Sequence, residues 1–302
     1  MALAAKLGLG TVQFGMDYGI SNRAGRPAEA EVAGILARAA DAGIEVLDTA
    51  AAYGEAAAVL GRALWSDHPF RIVTKVPSLP QGAVTADSVA RLGATFARSL
   101  SHLGAERVYG LLVHNAANLL VSSGDRLFGL LAGLKAQGRV AKIGVSVYSV
   151  DQARAVTDRF PLDLIQLPVN VFDQRPVVSG LLADLKAQGI EVHARSVFLQ
   201  GLLLMDPDDL PAHFASARER IRDYADHLAA AGVSPLRAAL GYVMGTAEVD
   251  VALCGVTTRE ELEQILGAAD KGPAAVSYER FAMTDEDGIN PVPWPPPHAR
   301  TR

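Results

Sequence analysis

The chain has 302 residues, half of them hydrophobic and a fifth charged, with a formal net charge of -5. That length suits one large α/β domain with an ample core, and an acidic chain without a basic block argues against nucleic acid or an anionic membrane as its main partner. The single cysteine, Cys254, excludes an intrachain disulfide and a cysteine-based zinc site.

Short Val- and Ile-rich runs alternate along the chain with stretches of helical period. Lys6 interrupts the apolar start too early for a secretory core, and no apolar run is long enough to span a bilayer, so a cytoplasmic protein is expected. Leu7–Gly10 reads as the first strand. Pro27 suits the first turn of a helix carrying Val32, Ile35, Leu36 and Ala39. Strands follow at Glu45–Asp48 and Arg71–Lys75. Val89, Leu92, Phe96, Leu100 and Leu103 then mark one helix face at steps of three and four, with Gly104 as the C-terminal cap. After a strand at Tyr109–His114, a helix carries Leu127, Leu130, Leu131 and Leu134 and closes at Gly138. Strands at Ala141–Ser146, Leu164–Gln166 and Glu191–Arg195 come next. Then follow the long stretch Leu199–Ser216, two helices ("ARERIRDYADHLAAAG" and "SPLRAALGYVMG"), and an eighth strand at Val251–Cys254. "LKAQG" occurs at 134–138 and again at 185–189, each time ending a helix before a strand.

Eight strands with intervening helices predict a single (β/α)8 barrel over residues 1–289, followed by a proline-rich tail at 290–302, "NPVPWPPPHARTR". An open doubly wound sheet is disfavoured, because "GLGTVQFG" after the first strand leads into residues that read as a loop, not a helix.

Active sites of such barrels sit at the C-terminal strand ends. In order these ends carry Gly10-Thr11, Asp48, Lys75, His114, Ser146, Gln166, Arg195 and Cys254-Gly255. Singly, each has an ordinary structural reading: Asp48 as a helix cap, His114 as a satisfied structural histidine. Together they suggest chemistry. Asp48, Lys75 and His114 lie on adjacent strands, and Tyr53 is one short loop beyond Asp48. A free phenol has a pKa of roughly 10, which a nearby ammonium is expected to lower, with Asp48 keeping that ammonium charged. His114 would bind the oxygen whose charge changes. The set reads as a proton donor for a developing alkoxide.

"DTAAAYG", followed by a Lys ending the next strand and a His ending the one after, resembles the aldo-keto reductase family over nearly the whole chain. The resemblance implies a barrel binding NADH or NADPH and reducing a small-molecule aldehyde or ketone. Tyr53 would be the acid, Lys75 and Asp48 its tuning pair, and His114 the group orienting the carbonyl. It carries the cofactor contacts onto Gly10, Thr11, Asp48, Ser146, Gln166, Arg195, Ser196, Phe198, Gln200, Gly201, Gly255, Val256, Thr257, Thr258, Glu261 and Gln264, with no metal. Three positions depart from the family pattern. Val147 stands where Asn is common after the fifth strand. Arg195 replaces the aromatic residue that stacks on the nicotinamide, and Ile265 replaces an adenine-contacting Asn. Arg195 is expected over a reduced nicotinamide ring or against an anionic substrate group, the plain structural reading being a salt bridge to a rim carboxylate. Glu261, where Arg is common, tilts the expectation to NADH over NADPH. Arg259 is the residue that would compensate, and an acidic first turn suited to the helix dipole is the simpler reading of Glu260, Glu261 and Glu263.

Asp17, Tyr18, Phe172 and the Phe198–Leu203 loop are expected to shape the substrate pocket. Cys254 reads as core and His193 as a half-buried strand residue. Two other functions fit the residues: a cofactor-binding regulatory subunit with little turnover, and an aldolase in which Lys75 forms a Schiff base. The oligomeric state is left open.

Overall fold

A computed structural model describes residues 6–80, 82, 84–284 and 289; the proline-rich segment 290–302 lies outside the described residues. Among the described residues, eight parallel strands close into a barrel in sequence order: β1 (Leu7–Gly10), β2 (Val46–Asp48), β3 (Arg71–Val76), β4 (Val108–Val113), β5 (Val140–Ser146), β6 (Leu164–Pro168), β7 (Glu191–Arg195) and β8 (Val251–Gly255). Closure is made by β8 pairing with β1, Leu9 opposite Cys254.

Both faces of these strands are buried, so they read as continuous apolar runs. Leu9, Leu47, Leu111, Ile143, Ile165 and Val192 point outward into the main core. There they meet Val32 and Leu36 of helix Glu29–Asp41, Leu92 and Phe96 of helix Ala86–Leu103, and Leu262 of helix Arg259–Asp270. The opposite parity points inward. Val46, Val73, Leu112, Leu164, Val251 and Leu253 fill the barrel. Gly8 belongs to that inner face, and only a glycine fits there: an added Cβ would meet Val251 Cγ1 at 2.7 Å and Leu253 Cδ2 at 2.8 Å.

Alternation of side chains along a strand now determines the rim. Moving two residues on from Val46, Val73, Leu112 and Leu164 brings Asp48, Lys75, His114 and Gln166 to the C-terminal mouth. Ser146, Arg195 and Gly255 complete the layer by the same parity on β5, β7 and β8.

Helix Ala86–Leu103 shows why its boundaries are sharp. Thr85 and Ser88 form a reciprocal capping box, and Gly104 ends the helix at φ 64°, in the left-handed region. Strand ends differ from expectation by a residue or two: β3 runs on to Val76, β4 stops at Val113, and β8 reaches Gly255. His114 therefore begins the loop rather than ending the strand. The stretch after β7 is not open loop but a chain of 3-10 turns, Leu199–Leu204, Pro207–Asp209 and Ala212–Ala217. With helices Arg218–Ala230 and Pro235–Gly245 these turns build a second apolar cluster around Phe172, Tyr224 and Phe281. Phe172 is thereby withdrawn from the pocket role expected of it: it is buried edge-to-face on Tyr224, ring centroids 5.6 Å apart. Cys254 is core, whereas His193 is fully buried inside the barrel rather than half-exposed. No helix among the described residues is long and apolar enough to cross a membrane.

Candidate active site

A cleft of about 820 Å³ opens at the C-terminal rim, and Asp48, Tyr53, Lys75 and His114 line its deep end. Lys75 Nζ lies 2.7 Å from each Asp48 carboxylate oxygen, 3.1 Å from the Thr49 carbonyl and 3.4 Å from the Tyr53 hydroxyl. Its side chain is 1% exposed. Tyr53 reaches back through the turn that follows β2, its backbone N–H donating to Ala50 O at 3.0 Å. Gly15 makes room for that turn, since a Cβ there would sit 2.0 Å from the Tyr53 carbonyl. The Tyr53 and His114 rings meet edge to face at 5.9 Å.

The electrostatics correct one expectation. Burial, and then the Asp48 carboxylate, raise the Tyr53 phenol above its ordinary 10 rather than lower it, with Arg195 pulling the other way. Burial is the main reason, and Lys75, seated on Asp48 at 2.7 Å, leaves the phenol little net positive charge to offset it. Burial also lowers Lys75 from 10.5, opposed by Asp48. His114 is pushed down to about 4 by burial, then by Lys75, so it is neutral at pH 7 and carries one N–H to donate. Burial and the neighbouring Tyr53 push Tyr18, a second phenol lining the cleft, up to about 12.

Seen from the deep end, the cleft continues past Ser146 and Arg195, along Ser196, Phe198, Gln200 and Gly201, to Gly255, Val256, Thr257, Glu261 and Gln264 beside helix Arg259–Asp270; Gly10 and Thr11 also line it. Three residues after β7 sit at left-handed φ without being glycine: Ser196 (57°), Leu199 (48°) and Gln200 (55°). Such strain is stored where the fold must hold a loop over a site. The loop is tied to the one after β1, with Ile20 N–H donating to Gln200 O at 2.9 Å.

Two of the expected contacts are engaged within the protein. Gln166 is fully buried behind Asp48 and donates Nε2–H to Oδ1 at 2.5 Å, while its Oε1 has no partner among the described residues. Thr258 caps the last helix, accepting the Glu261 N–H at 3.1 Å. Glu261 returns the bond by accepting the Thr257 N–H at 2.6 Å and its hydroxyl at 3.0 Å. Arg259 does not compensate for Glu261: its backbone N–H donates to Glu31 Oε1 at 2.7 Å, and its Nε lies 3.5 Å from Glu31 Oε2. Arg195 makes no rim salt bridge among the described residues; its guanidinium lies 4.0 Å from the Tyr148 ring centroid and donates to Val147 O at 2.8 Å.

Residues not expected from the sequence also line the cleft, notably Gln13 and Tyr148. Gln13 packs its amide against Gly255, where a Cβ would come within 2.5 Å of its Nε2. Gln13 Oε1 and Arg195 Nε are buried without a hydrogen-bond partner. Orphaned polar atoms along an elongated cleft that ends at a helix N-terminus suit a nicotinamide dinucleotide. Tyr148 had a signal in hindsight, since it follows the rim serine by two residues. Gln13 had none, because its position depends on a strand pairing between the two ends of the chain.

The comparisons with known proteins agree with this geometry. The family model described as Aldo/keto reductase family matches residues 6–283. A Pseudomonas aeruginosa protein, PA4992, assigned to the aldo-keto reductases, has a similar structure at TM-score 0.65 and 26% identity, over 88% of this chain and 90% of that one. Aldo-keto reductase AKR11C1 from Bacillus halodurans, in its holo form, superposes at TM-score 0.74 over 91% and 89% of the two chains, with 20% identity, a likeness of fold. No curated protein matches the sequence. The chain belongs to the aldo/keto reductase family, and that membership implies NAD(P)H-dependent oxidoreduction of a carbonyl group.

Proposed function

We propose that the protein reduces an aldehyde or ketone, with Tyr53 as proton donor and NADH favoured over NADPH. The observation that carries this reading is the position of Lys75 Nζ, bridging Asp48 at 2.7 Å and the Tyr53 hydroxyl at 3.4 Å at the deep end of the cleft.

A bound reduced nicotinamide supplies the hydride to the carbonyl carbon. The protein's part is the oxygen. Tyr53 O–H and the neutral His114 N–H donate to the carbonyl oxygen, and Tyr53 gives up its proton as negative charge develops there. A phenol that firmly holds its proton is in the right state to deliver it to a far more basic alkoxide. The phenolate left behind lies 3.4 Å from Lys75 Nζ, which can donate a hydrogen bond to it, and it is reprotonated from solvent. Asp48 and Gln166 keep Lys75 in place. An aldolase reading is disfavoured, because Lys75 is 1% exposed and its amine is spent on Asp48 and Thr49.

Ser146 and the 196–201 loop would hold the nicotinamide half, with Arg195 facing the space beside it. Gly255, Val256 and Thr257 would approach the adenosine half, with Gln264 beside them. A 2′-phosphate near the Glu261 carboxylate would be opposed by about 1–4 kcal/mol, whereas free ribose hydroxyls have an acceptor there.

A fluorescence titration with NADH and NADPH in parallel, followed by turnover of a panel of aldehydes, tests the reading. Tight binding with NADH preferred and measurable turnover supports it. Tight binding without turnover of any carbonyl points to a regulatory subunit, and binding of neither cofactor removes the reductase reading.

A further inference from the structure

We infer that the cleft takes carbonyl compounds bearing an anionic group, a carboxylate or a phosphate, and that Arg195 recognises it. The inference rests on the carbonyl-reductase reading and names its substrate class.

Among the described residues, Lys75 and Arg195 line the cleft as cations and differ in how they are satisfied. Lys75 is matched by Asp48 at 2.7 Å. Arg195 forms no ion pair among the described residues: it has the Val147 carbonyl at 2.8 Å, a long contact of 3.4 Å to the Ser196 hydroxyl, and an Nε with no partner. Two carboxylates that share the lining do not serve it. Asp48 is held by Lys75 and Gln166, and Glu261 is committed to Thr257 at the far end. A partly buried cation without a counter-ion is costly to keep, which makes an anion the natural complement.

The guanidinium is also held ready. Parity on β7 aims it inward, and Tyr148 supports its flat face with the cation 4.0 Å from the ring centroid. A side chain fixed this way loses little freedom on binding, and its planar fork suits carboxylate or phosphate oxygens. It acts close to the chemistry. Burial dominates the shifts of Tyr53, Lys75 and His114, and Arg195 adds a downward pull on all three. Arg195, Tyr53 and His114 line the same cleft, so a compound whose anionic group meets Arg195 can turn its carbonyl towards the other two.

Steady-state kinetics with charge-matched pairs tests this, using 4-formylbenzoate against 4-formylbenzamide and glyceraldehyde 3-phosphate against glyceraldehyde. Wild-type protein is expected to favour the anion of at least one pair by about tenfold or more in kcat/KM, mainly through KM, the size of one charge-assisted hydrogen bond. Which pair responds identifies carboxylate or phosphate. In Arg195→Gln the preference is expected to fall to near unity whatever happens to the absolute rates, and Arg195→Lys should keep part of it. No preference in wild type, or an equal loss on both members of each pair in Arg195→Gln, overturns the inference and leaves Arg195 as an electrostatic neighbour of Tyr53. If none of the four aldehydes is reduced, the parallel NADH and NADPH titration decides the reductase reading. Calorimetric titration with benzoate, benzamide and inorganic phosphate then decides the anion site alone. Tighter binding of an anion, lost in Arg195→Gln, upholds it; its absence overturns it.

Discussion

A buried and a half-buried carboxylate sit at opposite mouths of the same barrel, and their surroundings differ in what faces open space. At the C-terminal rim Asp48 is held by Lys75 and Gln166. At the N-terminal floor Glu191 accepts Tyr109 O–H at 2.6 Å, bonds His193 Nε2 at 2.6 Å and pairs with Lys142. Burial pushes the Glu191 carboxyl up, but the hydrogen bonds from His193, Lys142 and Tyr109 outweigh it and bring it down to about 2. Arg71 and Lys142 also pack over the Tyr109 ring, 5.0 and 5.3 Å from its centroid. The ingredients are alike: carboxylate, lysine, phenol, imidazole. On the floor the donors converge on one carboxylate, the buried His193 Nδ1 is left without a partner among the described residues, and none of these groups lines the cleft, so the cluster is adhesive. At the rim the ion pair cancels itself, while Tyr53, His114 and Arg195 keep hydrogen-bonding capacity facing open space. A site is distinguished here by uncommitted polar capacity, not by charge.

The sharpest way to test that contrast is Tyr53→Phe. It is expected to lower carbonyl turnover by about 10²–10⁴-fold while leaving the melting temperature in place. Retained turnover, read from cofactor oxidation, would remove Tyr53 as the donor.

Glu191→Gln should do the reverse. Uncoupling Lys142 and His193 is expected to cost about 3 kcal/mol of stability in denaturant unfolding, with unchanged cofactor affinity. If affinity fell and stability held, the floor would not be merely adhesive.

His114 links the two scales through pH. Its folded pKa, about 4, lies below its ordinary 6.5, so the unfolded chain takes up the proton first as pH falls. The stability that depends on neutral His114 is therefore complete above pH 6.5 and is lost as pH drops towards 4, on the order of 2–3 kcal/mol in all. Unfolding curves across that window should be flatter in His114→Gln than in wild type; identical slopes would contradict a buried neutral imidazole.

The smallest effect is expected at Glu261, which is both cap and rim carboxylate. Glu261→Arg should shift the NADPH-to-NADH affinity ratio by about tenfold and cost about 1 kcal/mol of helix capping. A ratio that does not move would leave Glu261 as a cap alone.

Much of the site was legible because strand ends are local features. Asp48, Ser146 and Arg195 end their strands as expected, Lys75 lies one residue before the end of its own, and Tyr53 is one short turn away. Less legible was where the neighbours of each residue point. Gln166 and Thr258 occupy the expected positions in the chain, but Gln166 uses its Nε2–H on Asp48 and Thr258 its hydroxyl on a helix cap. Arg259 turns to Glu31 on the first long helix, and Phe172 joins Tyr224 in the second core; both partners are remote in sequence.

The amino-acid sequence by itself determined the barrel, because runs with both faces apolar need helices on one side and a filled interior on the other. It also determined which residues reach the rim, because side-chain parity is set by spacing along each strand. Only the tertiary structure decided the electrostatics. Whether Lys75 lowers a phenol or merely neutralises Asp48, and whether Arg195 finds a counter-ion, depends on distances between strands and on water excluded by packing. No single stretch of chain encodes either.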